Sequence, residues 1–247
     1  MNNKLALGID IGGTNTEFGL VDNNGTILFH DSVSTTDYND ASLLIDAIHS
    51  KLQETKFMPN ISGVGIGAPN GNAFTGSIEF APNLSWKGII PITEMFTRKF
   101  NVPSFLTNDA NAAAIGEKIY GAAKDLKDFV SITLGTGLGS GVVVNNQLVY
   151  GSNGLAGEYG HIRVVQNGRD CPCGRKGCLE TYASSTGVVR SIKLLESPNK
   201  DSSALNSIKT PGAIDVFKCA ENGDEFSQEI IEFTAKKLGD ALADFAC

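Results

Sequence analysis

Three of the five cysteines of this 247-residue chain lie in one short segment, at Cys171, Cys173 and Cys178. Gly174 and Gly177 fall inside the segment and let the backbone turn tightly, because glycine tolerates conformations that a Cβ excludes. Zinc prefers thiolate sulfur and imidazole nitrogen in tetrahedral sets such as three cysteines and one histidine. The spacing therefore predicts a structural zinc site that fixes the shape of this segment.

His161 is the candidate for the fourth zinc ligand. The chain has three histidines, and His161 is the nearest of them to the cysteines along the sequence. The alternatives are a disulfide or a group of reactive thiols. Zinc is favoured because three cysteines cannot pair off evenly and because thiols stay reduced in the cytoplasm. We do not expect Cys219 or Cys247 to contribute to the site.

Two glycine-rich segments, residues 10–15 and 134–141, each end a run of apolar residues that is typical of a buried strand. Backbone N–H groups converge on an anion only where no side chain intervenes, and threonine hydroxyls add donors. Either segment alone is also compatible with a tight hairpin turn, and neither fits the common nucleotide motifs. Together they predict a phosphate site, in which Asp10 holds a metal-bound water. The candidate residues are Asp10, Gly12, Gly13, Thr14, Asn15, Gly135, Thr136 and Gly137.

Three carboxylates are candidates for chemistry on a substrate. Asp109 lies where a short strand at residues 104–107 gives way to an alanine-rich helix, so its local interpretation is a helix N-cap. Glu158 and Glu180 could equally be solvated acids. Their closeness to the predicted zinc ligands favours a binding role, because a metal-stiffened loop holds a carboxylate in one orientation and sugar hydroxyls donate to carboxylates.

The elements that carry these residues form an internal repeat. A strand, a glycine loop and a hairpin occur near residues 5–29 and again near residues 129–150, which implies two similar lobes. Between the copies, strands alternate with helices, as in an α/β protein. One of these helices follows Asp40, and its apolar positions predict a buried face. That face comprises Leu43, Leu44, Ala47, Ile48 and Leu52.

Composition limits the classes of partner. The formal net charge is -7, and no basic block runs along the chain, which argues against nucleic acid or an anionic membrane. No apolar run approaches the roughly 20 residues of a membrane span. We expect a cytoplasmic protein with a small-molecule ligand.

These motifs resemble those of the ROK family (repressor, open reading frame, kinase), and the pattern is most similar to the bacterial glucokinases of that family. Residues 10–14 and 134–141 resemble its two phosphate motifs, and residues 108–114 its catalytic segment. Residues 158–161 and 171–180 resemble its sugar and zinc motifs. The resemblance implies an α/β, actin/hexokinase-like fold of two ribonuclease-H-like lobes, with a zinc-binding loop and the sugar in the cleft.

The resemblance also implies an activity, which is ATP-dependent phosphorylation of the 6-hydroxyl of a hexose, with glucose the first candidate. Asp109 is then the general base, and Mg²⁺ lies on the phosphate oxygens of ATP. His161 binds zinc through one ring nitrogen and the sugar through the other. The implied sugar-binding residues are Asn83, Asn108, Asp109, Glu158, His161 and Glu180. The implied ATP-binding residues are those of the two glycine segments.

We expect a small N-terminal α/β lobe at residues 1–107 and a larger α/β lobe at residues 108–247, in a homodimer. Family members continue with an adenosine motif and a further helix, so we expect this chain to be C-terminally truncated. The alternatives are a kinase for an N-acetylhexosamine, mannose or fructose, and a sugar-binding protein without turnover. A repressor is disfavoured, because repressors of the family carry a DNA-binding motif ahead of the first phosphate loop.

Overall fold

The computed structural model describes residues 4–246, so Cys247 lies outside the described residues. The strands are β1 (Leu5–Ile11), β2 (Asn15–Val21), β3 (Ile27–Ser34), β4 (Ile61–Gly67), β5 (Gly71–Asn72), β6 (Ser77–Glu79), β7 (Ile89–Ile90), β8 (Ser104–Thr107), β9 (Phe129–Leu134), β10 (Leu138–Val144) and β11 (Gln147–Leu148). The α-helices are α1 (Ala41–Gln53), α2 (Ile92–Phe100), α3 (Asp109–Tyr120), α4 (Ser185–Leu194), α5 (Ala213–Glu221) and α6 (Glu225–Phe245). None of the helices in residues 4–246 is long and apolar enough to cross a membrane.

The chain forms two compact units. Unit 1 comprises the residues up to Ser131 together with Gly141–Ala156, and unit 2 comprises Ile132–Ser140 together with the residues from Gly157 onward. The chain therefore passes from unit 1 to unit 2 within β9 and returns within β10. The division into lobes at residues 107 and 108 stays a prediction.

Unit 1 is built on a five-stranded sheet in the order β3-β2-β1-β4-β8. The hairpins β1–β2 and β2–β3 are antiparallel, whereas β1–β4 and β4–β8 are parallel. Parallel neighbours require crossover connections, which α1 and α2 provide. The carboxyl ends of β1, β4 and β8 consequently lie at the same edge of the sheet, where ligands bind in folds of this class.

One face of the five-stranded sheet packs on α1 and forms the main core of unit 1. Alternate residues of β1, from Leu5 to Ile11, point to this face and are buried. The apolar stripe of α1 differs from the predicted one, since Leu43 is 49% exposed and Ile45 is buried in its place. The period of a helix puts positions 41, 44, 45, 48 and 52 on one side, and Leu43 falls outside that arc.

The opposite face of the same sheet is lined by glycine. Gly19, Gly8 and Gly65 are direct neighbours on three adjacent strands. A cavity of about 620 Å³ lies over this face, and Asp10 and Asp109 are among the residues that line it. The two carboxylates therefore stand at the rim of an open space large enough for a small molecule.

The internal repeat predicted from the sequence is present. In the described residues a three-stranded sheet has the order β11-β10-β9, which repeats the order of β3, β2 and β1. The second hairpin turns at Asn145 and Asn146, which both have positive φ values. β10 begins at Leu138, so the second half of the predicted glycine loop is a strand.

Unit 2 is largely helical and irregular. Helices α4, α5 and α6 enclose a cluster of buried residues that includes Val188, Val216, Phe226 and Ile230. The segment between Gly157 and Ser184 contains short 3-10 turns and two isolated β-bridges, Arg163 with Cys178 and Asp170 with Lys176. This irregular segment carries most of the predicted site residues of unit 2.

Candidate functional site

The first glycine loop connects β1 to β2 in unit 1. The N–H of Gly12 donates to the carbonyl of Asn15 at 2.9 Å and closes the turn. A Cβ on Gly13 would lie 2.7 Å from the carbonyl oxygen of Asn83, so the loop and the predicted sugar-binding asparagine are in direct contact. Thr14, Asn15 and Asn83 are exposed. Because the Gly12 amide is committed to the turn, a phosphate would be met by the neighbouring amides and the Thr14 hydroxyl.

Asp10 and Asp109 come together at the carboxyl edge of the five-stranded sheet. Gly67, at the end of β4, lies between them: a Cβ there would be 3.5 Å from the Cα of Asp109 and 3.7 Å from Oδ1 of Asp10. Glu17 is the direct neighbour of Asp10 on β2. Burial and the negative charges of Asp109 and Glu17 raise the pKa of Asp10 above its usual range. Three carboxylates thus crowd one edge of the sheet.

This crowding fits a divalent cation. Mg²⁺ takes oxygen ligands, retains several waters and is bound in proteins by one or two carboxylates together with substrate phosphates. Burial is the main cause of the raised pKa of Asp10, and the charges of Asp109 and Glu17 add to it, so a bound cation would offset their repulsion. The residues present are therefore chemically suited to the predicted Mg²⁺.

Asp109 is not the N-cap of α3. Asn108 takes that position, since its side chain accepts a hydrogen bond from the N–H of Asn111 at 2.7 Å. Asp109 is the first residue of the helix, and its side chain is exposed. Asparagine caps a helix as well as aspartate does, so the local sequence could not distinguish the two. Asp109 therefore presents a carboxylate at the helix N-terminus without serving as the cap.

The second glycine loop, between β9 and β10, is anchored to the start of α4 in unit 2. The Ser185 N–H donates to the Gly135 carbonyl at 2.9 Å, and the Thr186 hydroxyl donates to the Thr136 carbonyl at 2.8 Å. The Gly135 N–H donates to the Gly137 carbonyl at 3.0 Å. The start of α4 thus holds the carbonyl groups of the loop, while Gly135 and Thr136 remain exposed.

The segment that carries Glu158 and His161 packs on β10. A Cβ on Gly160 would lie 2.1 Å from the carbonyl oxygen of Leu138, so only glycine permits this approach. Ser140 accepts a hydrogen bond from the Tyr159 N–H at 3.1 Å and donates to the carbonyl of Gly157. Glu158 itself is exposed. The segment is consequently held in place by the strand that leaves the second glycine loop.

The four predicted metal ligands converge in unit 2. The candidate ligand atoms of His161, Cys171, Cys173 and Cys178 all lie within 4.8 Å of one another. Nδ1 of His161 is 3.5 Å from the sulfur of Cys171, and the sulfurs of Cys173 and Cys178 are 3.7 Å apart. Zn–S bonds of about 2.3 Å in a tetrahedron place two sulfurs roughly 3.8 Å apart. The spacing matches a zinc site and exceeds the sulfur separation of about 2.05 Å in a disulfide.

The thiols of this cluster influence one another strongly. Burial raises the pKa of Cys171 far above its usual range and also raises the pKa of Cys178. Burial acts in the same direction on Cys173, but hydrogen bonds from Arg175, Cys171 and Cys178 together outweigh it and lower the pKa of Cys173 to about 6. Metal binding is the usual way in which thiols such as Cys171 and Cys178, whose pKa values are raised, lose their protons.

Glu180 joins the metal cluster to the second glycine loop. Its side chain is 16% exposed, and its Oε1 atom is 3.5 Å from Nδ1 of His161 and accepts a hydrogen bond from the Cys171 thiol at 3.0 Å. A Cβ on Gly137 would lie 2.9 Å from Oε2 of Glu180. The predicted sugar-binding carboxylate, the predicted metal site and the predicted phosphate loop therefore form one packed group within unit 2.

Sequence reasoning missed the residues that support these groups. Arg169 donates to the carbonyl of Thr181, next to Glu180, and Ser185 and Thr186 donate to the second glycine loop, but no motif distinguishes these three from ordinary polar residues. Gly160 and Gly137 were recognised only as parts of glycine-containing segments. Their close contacts depend on tertiary packing that spacing along the chain does not reveal.

An α/β chain with two glycine loops, a carboxylate at the start of a helix and a Cys₃His group is the pattern of the ROK proteins. The model of the ROK family matches residues 6–247, and this chain belongs to that family. The prediction of family membership is confirmed.

A glucokinase from Halalkalibacterium halodurans is 34% identical over 256 residues, which cover 100% of this chain and 77% of the relative. A xylose repressor from Bacillus spizizenii is 36% identical over 221 residues, which cover 86% of this chain and 57% of the repressor. The chain thus spans little more than half the length of that relative.

A crystal structure of a ROK family glucokinase from Streptomyces griseus, in complex with glucose and AMPPNP, has a TM-score of 0.80 and 35% sequence identity. The match covers 98% of this chain and 79% of that one. The predicted fold class is therefore confirmed: the chain has the α/β, actin/hexokinase-like fold of the ROK sugar kinases.

Proposed function

We propose that this protein is a sugar kinase that transfers the γ-phosphoryl group of ATP to the 6-hydroxyl of a hexose, with glucose as the first candidate. The observation that carries the proposal is the exposed carboxylate of Asp109 at the start of α3, beside Asp10, with the capping role taken by Asn108. A glucokinase at 34% identity and a similar fold in a glucokinase bound to glucose and AMPPNP support it.

In unit 1, Asp109 is the proposed general base. It accepts the proton of the 6-hydroxyl as that oxygen attacks the γ-phosphorus, and its exposed position at the start of α3 leaves it accessible to the sugar. Asp10 would hold a water of Mg²⁺, which would neutralise charge on the phosphate oxygens. The first glycine loop contacts the phosphates, and Asn83 and Asn108 bind sugar hydroxyls. Such a site works mainly by placement and electrostatics.

In unit 2, Glu158, His161 and Glu180 are the proposed partners of the remaining sugar hydroxyls. Nδ1 of His161 faces Cys171 and Glu180 and is the atom directed toward the metal cluster. The other ring nitrogen is then the one proposed for the sugar, since a neutral imidazole serves two partners at once. Gly135, Thr136 and Gly137 form the proposed second phosphate contact.

The proposed metal of the cluster is zinc in a structural role. Four protein ligands fill a tetrahedral ion and leave no open position for a substrate or a reactive water. The ion would instead hold the irregular segment from Gly157 to Ser184 in one shape.

A coupled assay of ADP release tests the proposal. Glucose, N-acetylglucosamine, N-acetylmannosamine, mannose and fructose are offered separately to the wild-type protein with Mg-ATP, and we expect turnover with glucose to be fastest. Asp109→Asn should abolish most of it, whereas Asp125→Asn, which changes an exposed carboxylate of the same unit, should not.

Two outcomes contradict the proposal. Turnover that is equal in Asp109→Asn and wild type would remove Asp109 as the base. Sugar binding by calorimetry without ADP release from any sugar would favour a sugar-binding protein without turnover.

A further inference from the structure

Arg169 lies two residues before Cys171, the first cysteine of the candidate metal cluster, and its guanidinium is stacked on aromatic rings. The guanidinium carbon is 4.5 Å from the ring centre of Tyr182 and 5.6 Å from that of Phe233. Stacking of this kind suits arginine, whose planar cation binds to aromatic faces. The main-chain N–H of Arg169 also donates to the Tyr182 hydroxyl at 2.9 Å. Both the backbone and the side chain of this residue are therefore fixed.

Three hydrogen bonds from the guanidinium of Arg169 go to neutral acceptors. Nη1 donates to the carbonyl of Thr181 at 2.7 Å and to the carbonyl of Gly187 at 3.0 Å. Nη2 donates to the hydroxyl of Ser191 at 2.9 Å. Burial, together with the charge of Arg190, lowers the pKa of Arg169, but arginine keeps its charge in proteins. The charged side chain of Arg169 therefore binds two backbone carbonyls and one hydroxyl, and none of these acceptors carries a charge.

The backbone that Arg169 holds belongs to the substrate-binding elements of unit 2. Thr181 follows Glu180 in the same 3-10 turn. Gly187 lies in the first turn of α4, and the two preceding residues, Ser185 and Thr186, anchor the second glycine loop. One guanidinium therefore bridges the turn of the proposed sugar carboxylate and the helix that fixes the proposed phosphate loop.

We propose that Arg169 is a positioning residue that holds Glu180 and the Gly135–Gly137 loop in one fixed arrangement. The inference rests on the proposed kinase function for its catalytic consequence, but not for its structural one. A lysine at this position would keep the charge and would lack the planar fork, so it could not reach the Thr181 carbonyl, the Gly187 carbonyl and the Ser191 hydroxyl together.

The structural consequence is tested by amide hydrogen exchange on the full chain. In Arg169→Ala we expect exchange to accelerate in two peptides at once, those containing Gly135–Gly137 and Leu179–Thr181, with no change in α1. Millimolar guanidinium should refill the gap and restore protection in both peptides, whereas the same concentration of tetramethylammonium should not. Acceleration in one peptide alone, or in neither, overturns the proposal.

The matched control is Arg190→Ala. Arg190 lies on α4, the helix that Arg169 contacts, and donates to the carbonyl of Asp170 at 2.8 Å. It therefore joins the same helix to the residue next to Cys171, and this bond does not involve Thr181. We expect it to leave both reporter peptides protected. Equal effects of Arg190→Ala and Arg169→Ala would show a general loosening of α4 and contradict the inference.

The catalytic consequence is measured in the same variants. Arg169→Ala should lower kcat/KM for the sugar at least about tenfold, since a displacement of 1 Å costs as much as a hundredfold, and guanidinium should restore it. A lower Tm with unchanged kinetic constants would make Arg169 a purely structural residue and refute the proposal.

If the Ala variant does not fold, Arg169→Lys decides, because unchanged exchange and kinetics in it also refute the proposal. Absence of turnover in wild type would count against the kinase function alone, since hydrogen exchange still tests Arg169.

Discussion

The contact between Gly137 and Glu180 gives a prediction whose size follows from the structure. In Gly137→Ala the new Cβ would lie 2.9 Å from Oε2 of Glu180. Gly137 does not have a positive φ, so we expect the substitution to act through this contact and not through backbone strain. A relaxed contact needs about 3.5 Å, and the carboxylate must therefore move by roughly 0.6 Å. Oε1 has little room to follow, because it already lies 3.0 Å from the sulfur of Cys171 and 3.5 Å from Nδ1 of His161.

The displacement should weaken sugar recognition without unfolding the protein. A shift of 1 Å in a positioning group costs up to about a hundredfold, so a shift near half that size should cost about tenfold, or about 1.4 kcal/mol. The obstructing atom is the end of a flexible side chain, so the loss of stability should be about 1 kcal/mol, at the low end for overpacking. That corresponds to a fall in Tm of roughly 2–4 °C.

Calorimetric titration of the sugar without nucleotide isolates this effect. Gly135→Ala is the steric control, because an added Cβ at Gly135 meets nothing within 4 Å. We expect sugar affinity to fall about tenfold in the first variant and to stay unchanged in the second, whatever each does to nucleotide binding. Equal sugar affinity in wild type and Gly137→Ala would refute the inference that Glu180 binds sugar from the observed position.

Three further predictions concern the metal and the acids. Cys173→Ser should release about one zinc per chain, measured by metal analysis, and lower the Tm; wild-type protein without zinc would refute the site. Asp109→Asn should lower kcat by at least about a hundredfold with a much smaller change in sugar affinity, and a near-normal kcat would rule out a general base. Asp10→Asn should raise the Tm at neutral pH, because burial and the charges of Asp109 and Glu17 raise the pKa of Asp10, so that its ionised form opposes folding. That gain should shrink as the pH falls toward the ordinary pKa of aspartate, and a gain independent of pH would contradict this cause.

Regular elements with local signals were predictable from the sequence. The strand at residues 129–134 and the strand at residues 104–107 coincide with β9 and β8, because each apolar run ends at a glycine or an asparagine, Gly135 and Asn108. The helix after Asp40 begins where predicted, since Asp40 caps α1 by accepting from the Ser42 N–H at 2.7 Å. The prediction that Leu43 lies on the buried face of α1 was wrong, because its side chain is apolar but its position falls outside the helical arc that faces the core.

Tertiary contacts were not predictable. A glycine required by a turn and a glycine required by a close approach look alike in a sequence. Gly177 shows both requirements, since its φ is +79° and a Cβ there would lie 1.7 Å from the carbonyl oxygen of Val165. Asn108 and Asp109 are equally good caps on local grounds, and only the bond from the Asn111 N–H assigns the role.

The two units position their candidate residues by different physical means. In unit 1, Asp10 and Asp109 stand at the ends of a strand and a helix, so the hydrogen bonds of regular structure already fix them. In unit 2, Glu158, His161 and Glu180 belong to short 3-10 turns or adjoin them, and such turns supply few backbone bonds of their own.

Irregular backbone of this kind needs cross-links from elsewhere to stay ordered. The Cys₃His cluster, the guanidinium of Arg169 and the close approach of Gly160 to Leu138 supply them. Each joins segments that are distant in sequence, so each removes freedom that local structure cannot. The proposed metal site would therefore help to orient the candidate sugar-binding residues, although a zinc ion with four protein ligands would take no part in the chemistry.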